Sequence, residues 1–129
     1  MSLIRTLLVD DSPDFLDAAA HFLSSDPQIE IVGVSLSGQE ALDRLPGIDP
    51  DLVLMDLAMP DLSGLEATRR IKTQPNAPRV IILTLHDNQE YRRASQAAQA
   101  DGFMTKSDVG VNLLPLIHSL FELEVPVSK

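Results

Sequence analysis

The stretch Leu52-Val53-Leu54-Met55-Asp56-Leu57-Ala58-Met59-Pro60 decides how the rest of the chain is read. It opens with four apolar residues in a row and is bounded by turn formers. Such a run suits a short strand buried on both faces, as in a parallel sheet covered by helices on either side. The run ends on an aspartate, where the chain leaves the sheet through a loop containing Pro60 and Gly64. In open parallel sheets, ligands bind in the crevice outside the carboxyl ends of the strands. An acidic side chain placed there is costly unless something pairs with it. Asp56 is therefore the candidate working residue.

Upstream of this strand, residues 3–9 form a mostly apolar run that ends in the pair Asp10-Asp11. Ser12-Pro13 then makes a helix start, with Ser as the N-cap and Pro at the first helical position. Phe15, Ala18, Ala19, Phe22 and Leu23 keep the spacing of one buried face, and Asp26-Pro27 stops the helix. Residues 29–34 read as a second strand. Ser37 and Glu40 form a capping box for a helix with Ala41, Leu42 and Leu45 inward, which Pro46-Gly47 is expected to end.

Downstream, Ser63 and Glu66 form another capping box, followed by the apolar stripe Leu65, Ala67 and Ile71. Residues 79–84 make a fourth strand. Asp87 and Glu90 suggest a third box, opening a helix whose alanine-rich composition predicts loose packing. Residues 101–105 form a short fifth strand followed by Lys106. A last helix carries Leu113, Leu116, Ile117, Leu120 and Phe121; Pro115 is tolerable there if the regular helix begins near Asn112. Five strands alternating with five helices, joined by right-handed crossovers, give an α/β fold with a doubly wound parallel sheet. Only residues 125–129 are expected to fray.

Composition sets bounds on function. The 129 residues suit one domain, and 44% hydrophobic with 22% charged residues is a globular balance. A net charge of −9 argues against direct nucleic-acid binding and favours a cation as ligand. The chain has no cysteine, which removes disulfides and thiol chemistry. No apolar run approaches a membrane span and no signal-peptide pattern opens the chain, so a cytoplasmic location is expected.

The residues at or just beyond the strand ends are Asp10 and Asp11, Asp56, Thr84 and Lys106. Because parallel strand ends share one rim, these side chains can converge. Two unit charges ~4 Å apart repel by about 1 kcal/mol in water and about 4 kcal/mol at an effective dielectric of 20. A hard divalent cation relieves such crowding, and carboxylate-plus-water coordination suits Mg²⁺. Lys106 offers a point charge for a phosphoryl oxygen and Thr84 a hydroxyl donor. With no Ser/His or Cys/His pairing in view, a carboxylate nucleophile accepting a phosphoryl group is the chemistry that fits.

At these residues the sequence resembles the receiver domains of two-component response regulators. The resemblance runs through Leu-Val-Asp-Asp-Ser-Pro (8–13), Leu-Met-Asp-Leu-Ala-Met-Pro-Asp-Leu-Ser-Gly-Leu-Glu-Ala (54–67), Leu-Thr (83–84) and Gly-Phe-Met-Thr-Lys (102–106). Gly-Leu-Glu-Ala-Thr-Arg-Arg-Ile (64–71) and His-Asp-Asn-Gln-Glu-Tyr (86–91) look like the NarL/FixJ subfamily, whose members usually carry a C-terminal helix-turn-helix. The resemblance implies a flavodoxin-like sheet of order 2-1-3-4-5.

Carried over by position, the resemblance makes Asp56 the phosphoacceptor. It implies Mg²⁺ held by the side chains of Asp11 and Asp56 and the Ala58 backbone carbonyl, with Asp10 acting through water. Lys106 neutralises the phosphoryl group, Thr84 moves toward it, and Phe103 takes the switch-aromatic position. The chain is then a signalling switch, not an enzyme in its own right, although it assists its own phosphoryl transfer and hydrolysis. A sensor histidine kinase or phosphotransfer protein is the expected partner, with homodimerisation on phosphorylation. Residues 1–124 are expected to form the receiver domain, and 125–129 a tail or the start of a linker to an effector.

Four positions depart from the commonest family pattern. Phe103 lacks the frequent tyrosine hydroxyl, so its rotamer is expected to follow burial alone. Leu85 is larger than the usual small residue, Gln99 stands where glycine often ends the fourth helix, and Ser107 replaces a frequent proline.

Blander readings exist for each residue taken singly. An Asp-Asp pair at a helix start can be simple capping, Asp56 a loop residue and Lys106 a surface lysine. A haloacid-dehalogenase phosphatase needs a second aspartate where Ala58 stands. A flavodoxin needs a Ser/Thr-rich phosphate loop where Asp-Asp-Ser-Pro stands. A stand-alone or degenerate receiver, acting as an interaction module, is the remaining alternative.

Overall fold

Period-two alternation sends Leu52 and Leu54 of β3 (Leu52–Asp56) to one face of a sheet and Val53 and Met55 to the other, and all four are buried. A strand can be apolar throughout only where helices cover both faces. The computed structural model describes residues 3–122 and shows that arrangement. The other elements are β1 (Ile4–Val9), α1 (Pro13–Leu23), β2 (Ile29–Ser35), α2 (Gly38–Ile48), α3 (Gly64–Lys72), β4 (Arg79–Thr84), α4 (Gln89–Ala97), β5 (Gly102–Thr105) and α5 (Leu114–Leu120). All strand pairs are parallel, in the order β2-β1-β3-β4-β5. The doubly wound sheet expected from the sequence is present.

Two cores result, one on each face. Leu8, Leu52, Leu54, Ile81 and Leu83 pack with Leu16, Leu23, Leu113 and Ile117 from the α1 and α5 side. Leu7, Val9, Val53, Met55 and Ile82 pack with Ala41, Leu45, Ala67 and Ile71 of α2 and α3. Full burial of each such aliphatic side chain stabilises by about 2 kcal/mol. Against this, α4 has Ser95 as its one buried residue. The loose packing expected from its alanines is what the helix shows.

Four local expectations need correction. The buried stripe of α1 runs through Leu16, Ala19 and Leu23, with Phe15 and Phe22 half-buried and Ala18 exposed. Pro46 does not end α2, which continues to Ile48 before Asp49 caps it in the left-handed region (φ 50°). Pro46 gives up one intrahelical N–H bond, and the helix runs only two residues past it. The cap of α4 is Asn88, whose side chain accepts from the Glu90 and Tyr91 amides, because Asp87 is taken up by Arg92 at 2.7 Å. The final helix is preceded by a 3₁₀ turn (Lys106–Asp108) and a π turn (Val109–Leu113), so regular α-helix starts at Leu114 rather than near Asn112. Pro115 then falls in its first turn, where a missing donor is harmless.

Among the described residues no helix is long and apolar enough to cross a membrane. The expected fraying of 125–129 concerns residues outside the described range.

Candidate functional site

Register builds the site. Val9 lies opposite Met55 in the β1–β3 pair, so the next residues, Asp10 and Asp56, leave the sheet side by side. Asp56 lies opposite Leu83, and Thr84 opposite Thr105, so Thr84 and then Lys106 come out along the same rim. Asp10, Asp11, Asp56, Ala58, Thr84 and Lys106 line one cleft of about 460 Å³. Every site residue expected from the sequence is there except Phe103, which lies behind it on β5.

Asp10 is buried and held by its own turn. Its Oδ1 accepts from the Ser12 amide at 2.9 Å, and Ser12 Oγ, the N-cap of α1, accepts from the Phe15 amide at 3.2 Å. Asp56 is 6% exposed while Asp11 stands open to solvent. One carboxylate oxygen from each of Asp10, Asp11 and Asp56 lies within 4.8 Å of the others. Hard oxygen donors at that spacing, two of them buried, fit a small divalent cation such as Mg²⁺.

Lys106 Nζ sits 2.7 Å from Asp10 Oδ2 and 3.2 Å from Asp56 Oδ1. It also lies 4.3 Å from the centroid of the Phe15 ring. Burial, with the Asp10 charge second, pushes the Asp56 carboxyl up to about 6, although Lys106 pulls the other way. Burial alone would lower Lys106, but its hydrogen bond with Asp10 and the Asp56 and Asp10 charges outweigh this and hold it above its ordinary value. The three acids and one lysine thus keep residual repulsion in a desolvated place, the condition a bound cation relieves.

The rear of the site is rigid. Gly64 opens α3 with its amide on the Leu57 carbonyl at 2.8 Å, and a Cβ there would meet the Asp56 carbonyl oxygen at 1.9 Å. Only glycine allows α3 to abut the end of β3 this closely. Thr84 is 5% exposed, and its Oγ1 accepts from the His86 amide at 3.3 Å. Leu85, 72% exposed, is among the residues that line the cleft.

Phe103 corrects one expectation. It is half-buried, and the Arg92 guanidinium lies 4.9 Å from its ring centroid while also gripping Asp87. Its position is therefore set by a cation–π contact as well as by burial. Phe15 and Arg92 are the two residues whose part in the site sequence reasoning missed. Neither contact carries a motif: Phe15 and Lys106 stand far apart in the chain, and Arg92 and Phe103 lie on successive elements at no fixed spacing.

Known proteins bear on this geometry. A protein-glutamate methylesterase/protein-glutamine glutaminase from Syntrophus aciditrophicus is 39% identical over 98 residues, covering 76% of this chain and 28% of that protein. The nitrate/nitrite response regulator protein NarL from Escherichia coli K12 is 28% identical over 123 residues, covering 95% of this chain and 57% of NarL. The chain therefore spans less than two thirds of either relative. Among solved structures, a LuxR-family two-component response regulator from Aurantimonas superposes with a TM-score of 0.88 at 30% identity, covering 94% of this chain and 86% of that one. Residues 6–116 match the response regulator receiver domain family, and with the strand order and rim residues described above, the chain belongs to that family.

Proposed function

We propose that this chain is a phosphoacceptor switch in which Asp56 takes a phosphoryl group from a phosphohistidine. The observation that carries the reading is the meeting of Asp10, Asp11, Asp56 and Lys106 on one rim, with the three carboxylates within 4.8 Å and the ammonium between two of them. An Asp56 carboxyl pushed up to about 6 is still mainly ionised at neutral pH, so its oxygen is free to form the new P–O bond as the donor's P–N bond breaks. Lys106 balances charge on the phosphoryl oxygens, and Thr84 offers a hydroxyl donor once the group is in place. Asp11, Asp56 and the Ala58 carbonyl would hold Mg²⁺, with Asp10 acting through water; when bound, the ion supplies positive charge against the phosphoryl oxygens.

The output is a shift of the α4–β5–α5 face, with α4 the least anchored part. Phosphorylation biases a two-state equilibrium in which Thr84 turns inward and Phe103 changes its packing. The donor is a sensor histidine kinase or a phosphotransfer protein in the cytoplasm, and phosphorylation promotes a homodimer. Residues 1–124 act as the phosphoacceptor unit, controlling a DNA-binding output, a reading that rests on the NarL/FixJ-like stretches at 64–71 and 86–91.

Incubation with acetyl phosphate and Mg²⁺ tests the reading. Mass spectrometry should show one added phosphoryl group, released by hydroxylamine as an acyl phosphate is, and none on Asp56→Asn. Equal labelling of Asp56→Asn overturns the assignment.

A further inference from the structure

Four residues around the cleft close a ring of contacts. Asp10 Oδ1 accepts from the Ser12 amide, and Ser12 Oγ accepts from the Phe15 amide. The Phe15 ring faces Lys106 Nζ at 4.3 Å, and Lys106 Nζ returns to Asp10 Oδ2 at 2.7 Å. The Lys106 side chain is 13% exposed, so its ammonium has given up most of its water and depends on three partners, the Phe15 ring, Asp10 and Asp56 at 3.2 Å. Two of them are carboxylates with other work. On the reading above, Asp10 and Asp56 turn to a cation, and Asp56 loses its charge when its oxygen joins phosphorus. The aromatic face is the one partner that neither event removes.

We infer that Phe15 is a positioning residue for Lys106, its ring holding the desolvated ammonium over the cleft when the carboxylates are engaged elsewhere. An aliphatic residue of similar size fills the same space but lacks the ring quadrupole that attracts a cation. The helix cap fixes where that ring stands, because Ser12 anchors the Phe15 backbone and Asp10 anchors Ser12. The ammonium therefore keeps a fixed approach to whatever oxygen replaces the Asp56 carboxylate. This inference rests on the phosphoacceptor reading and specifies one further part of the same site.

Beryllofluoride, a phosphoryl mimic, separates the two claims when titrated with Mg²⁺ present. In the parent chain it should bind in a manner abolished by Asp56→Asn; failure of that control sinks the phosphoacceptor reading itself. Given that control, Phe15→Leu should bind Mg²⁺ alone with unchanged affinity but beryllofluoride about tenfold more weakly, the scale of a partly desolvated cation–π contact. Phe15→Tyr, which keeps the ring, should restore the parent affinity. In a Lys106→Met background, Phe15→Leu should produce no additional loss. A parent-like beryllofluoride affinity in Phe15→Leu overturns the inference, as does a loss that Phe15→Tyr fails to repair. If Phe15→Leu does not fold, the parent alone decides. Its Lys106 side-chain protons should be shifted upfield by the ring current and stay shifted with Mg²⁺ and beryllofluoride bound, and random-coil positions overturn the proposal.

Discussion

Asp56 is a residue kept in a place that does not suit it. Its carboxyl is pushed up to about 6 from 3.8, first by burial and then by the Asp10 charge. A group whose folded value lies above its unfolded one favours the fold when protonated. That contribution is full below about pH 4 and is lost as pH rises through about 6. At about 1.4 kcal/mol per unit, the metal-free chain should lose on the order of 3 kcal/mol from this group across that window. Denaturant melts at pH 4 and 7, compared between the parent and Asp56→Asn, test it. The variant should be the more stable at pH 7, with the gap closing at pH 4; a gap that widens toward pH 4 reverses the sign of the argument. The ionised site that chemistry needs is thus the less stable one. Much of this was legible in the sequence, because an aspartate ending a buried strand advertises its own desolvation. The Phe15–Lys106 and Arg92–Phe103 contacts were not, since nothing in local spacing says which cation will find which ring.

At the level of elements, α4 carries the clearest strain. Gln99, just beyond its end, adopts φ 67°, a left-handed conformation that costs an ordinary residue roughly 1 kcal/mol. Glycine removes that penalty but gains freedom when unfolded, which offsets part of the benefit. Gln99→Gly should therefore raise stability modestly, by about 0.5 kcal/mol in chemical denaturation, and slow amide exchange in α4. Faster exchange there would show that the strain is relieved by some other contact. The sequence marked this position through the glycine that the family often places there, yet it misplaced the other end of the helix. Asp87 and Asn88 are both good caps, and the choice fell to Asn88 because Arg92, five residues past Asp87, pairs with it. The phase of α1 was misread for a similar reason. Ala18 fits an apolar stripe as well as Leu16 does, and only the sheet decides which faces inward.

Across the whole molecule the two rims of the sheet differ in character. At the working rim, like charges crowd. At the opposite rim, Asp51 meets the Arg5 amide at 2.9 Å, Asp101 joins Lys72 at 2.8 Å, and Asp26 meets His118 at 2.6 Å across 92 positions of chain. A cation should consequently stabilise the entire fold by acting on one rim. At Mg²⁺ tenfold above its dissociation constant, mass action adds about 1.4 kcal/mol, a rise in Tm of about 5 °C for a domain of this size. Differential scanning fluorimetry should show that rise in the parent and little of it in Asp11→Ala; an equal rise in both would place the ion elsewhere. The strand order was legible because five apolar runs alternate with amphipathic helices. The satisfied rim was not, because its ion pairs join residues far apart in sequence. That division also gives the molecule a handle. Gly47, near the end of α2 that runs down to the satisfied rim, has open space where a side chain would stand, and the chain holds no native thiol. A single cysteine placed there could fasten the protein to a bead, electrode or force probe with the carboxylate-lined cleft facing away from the support.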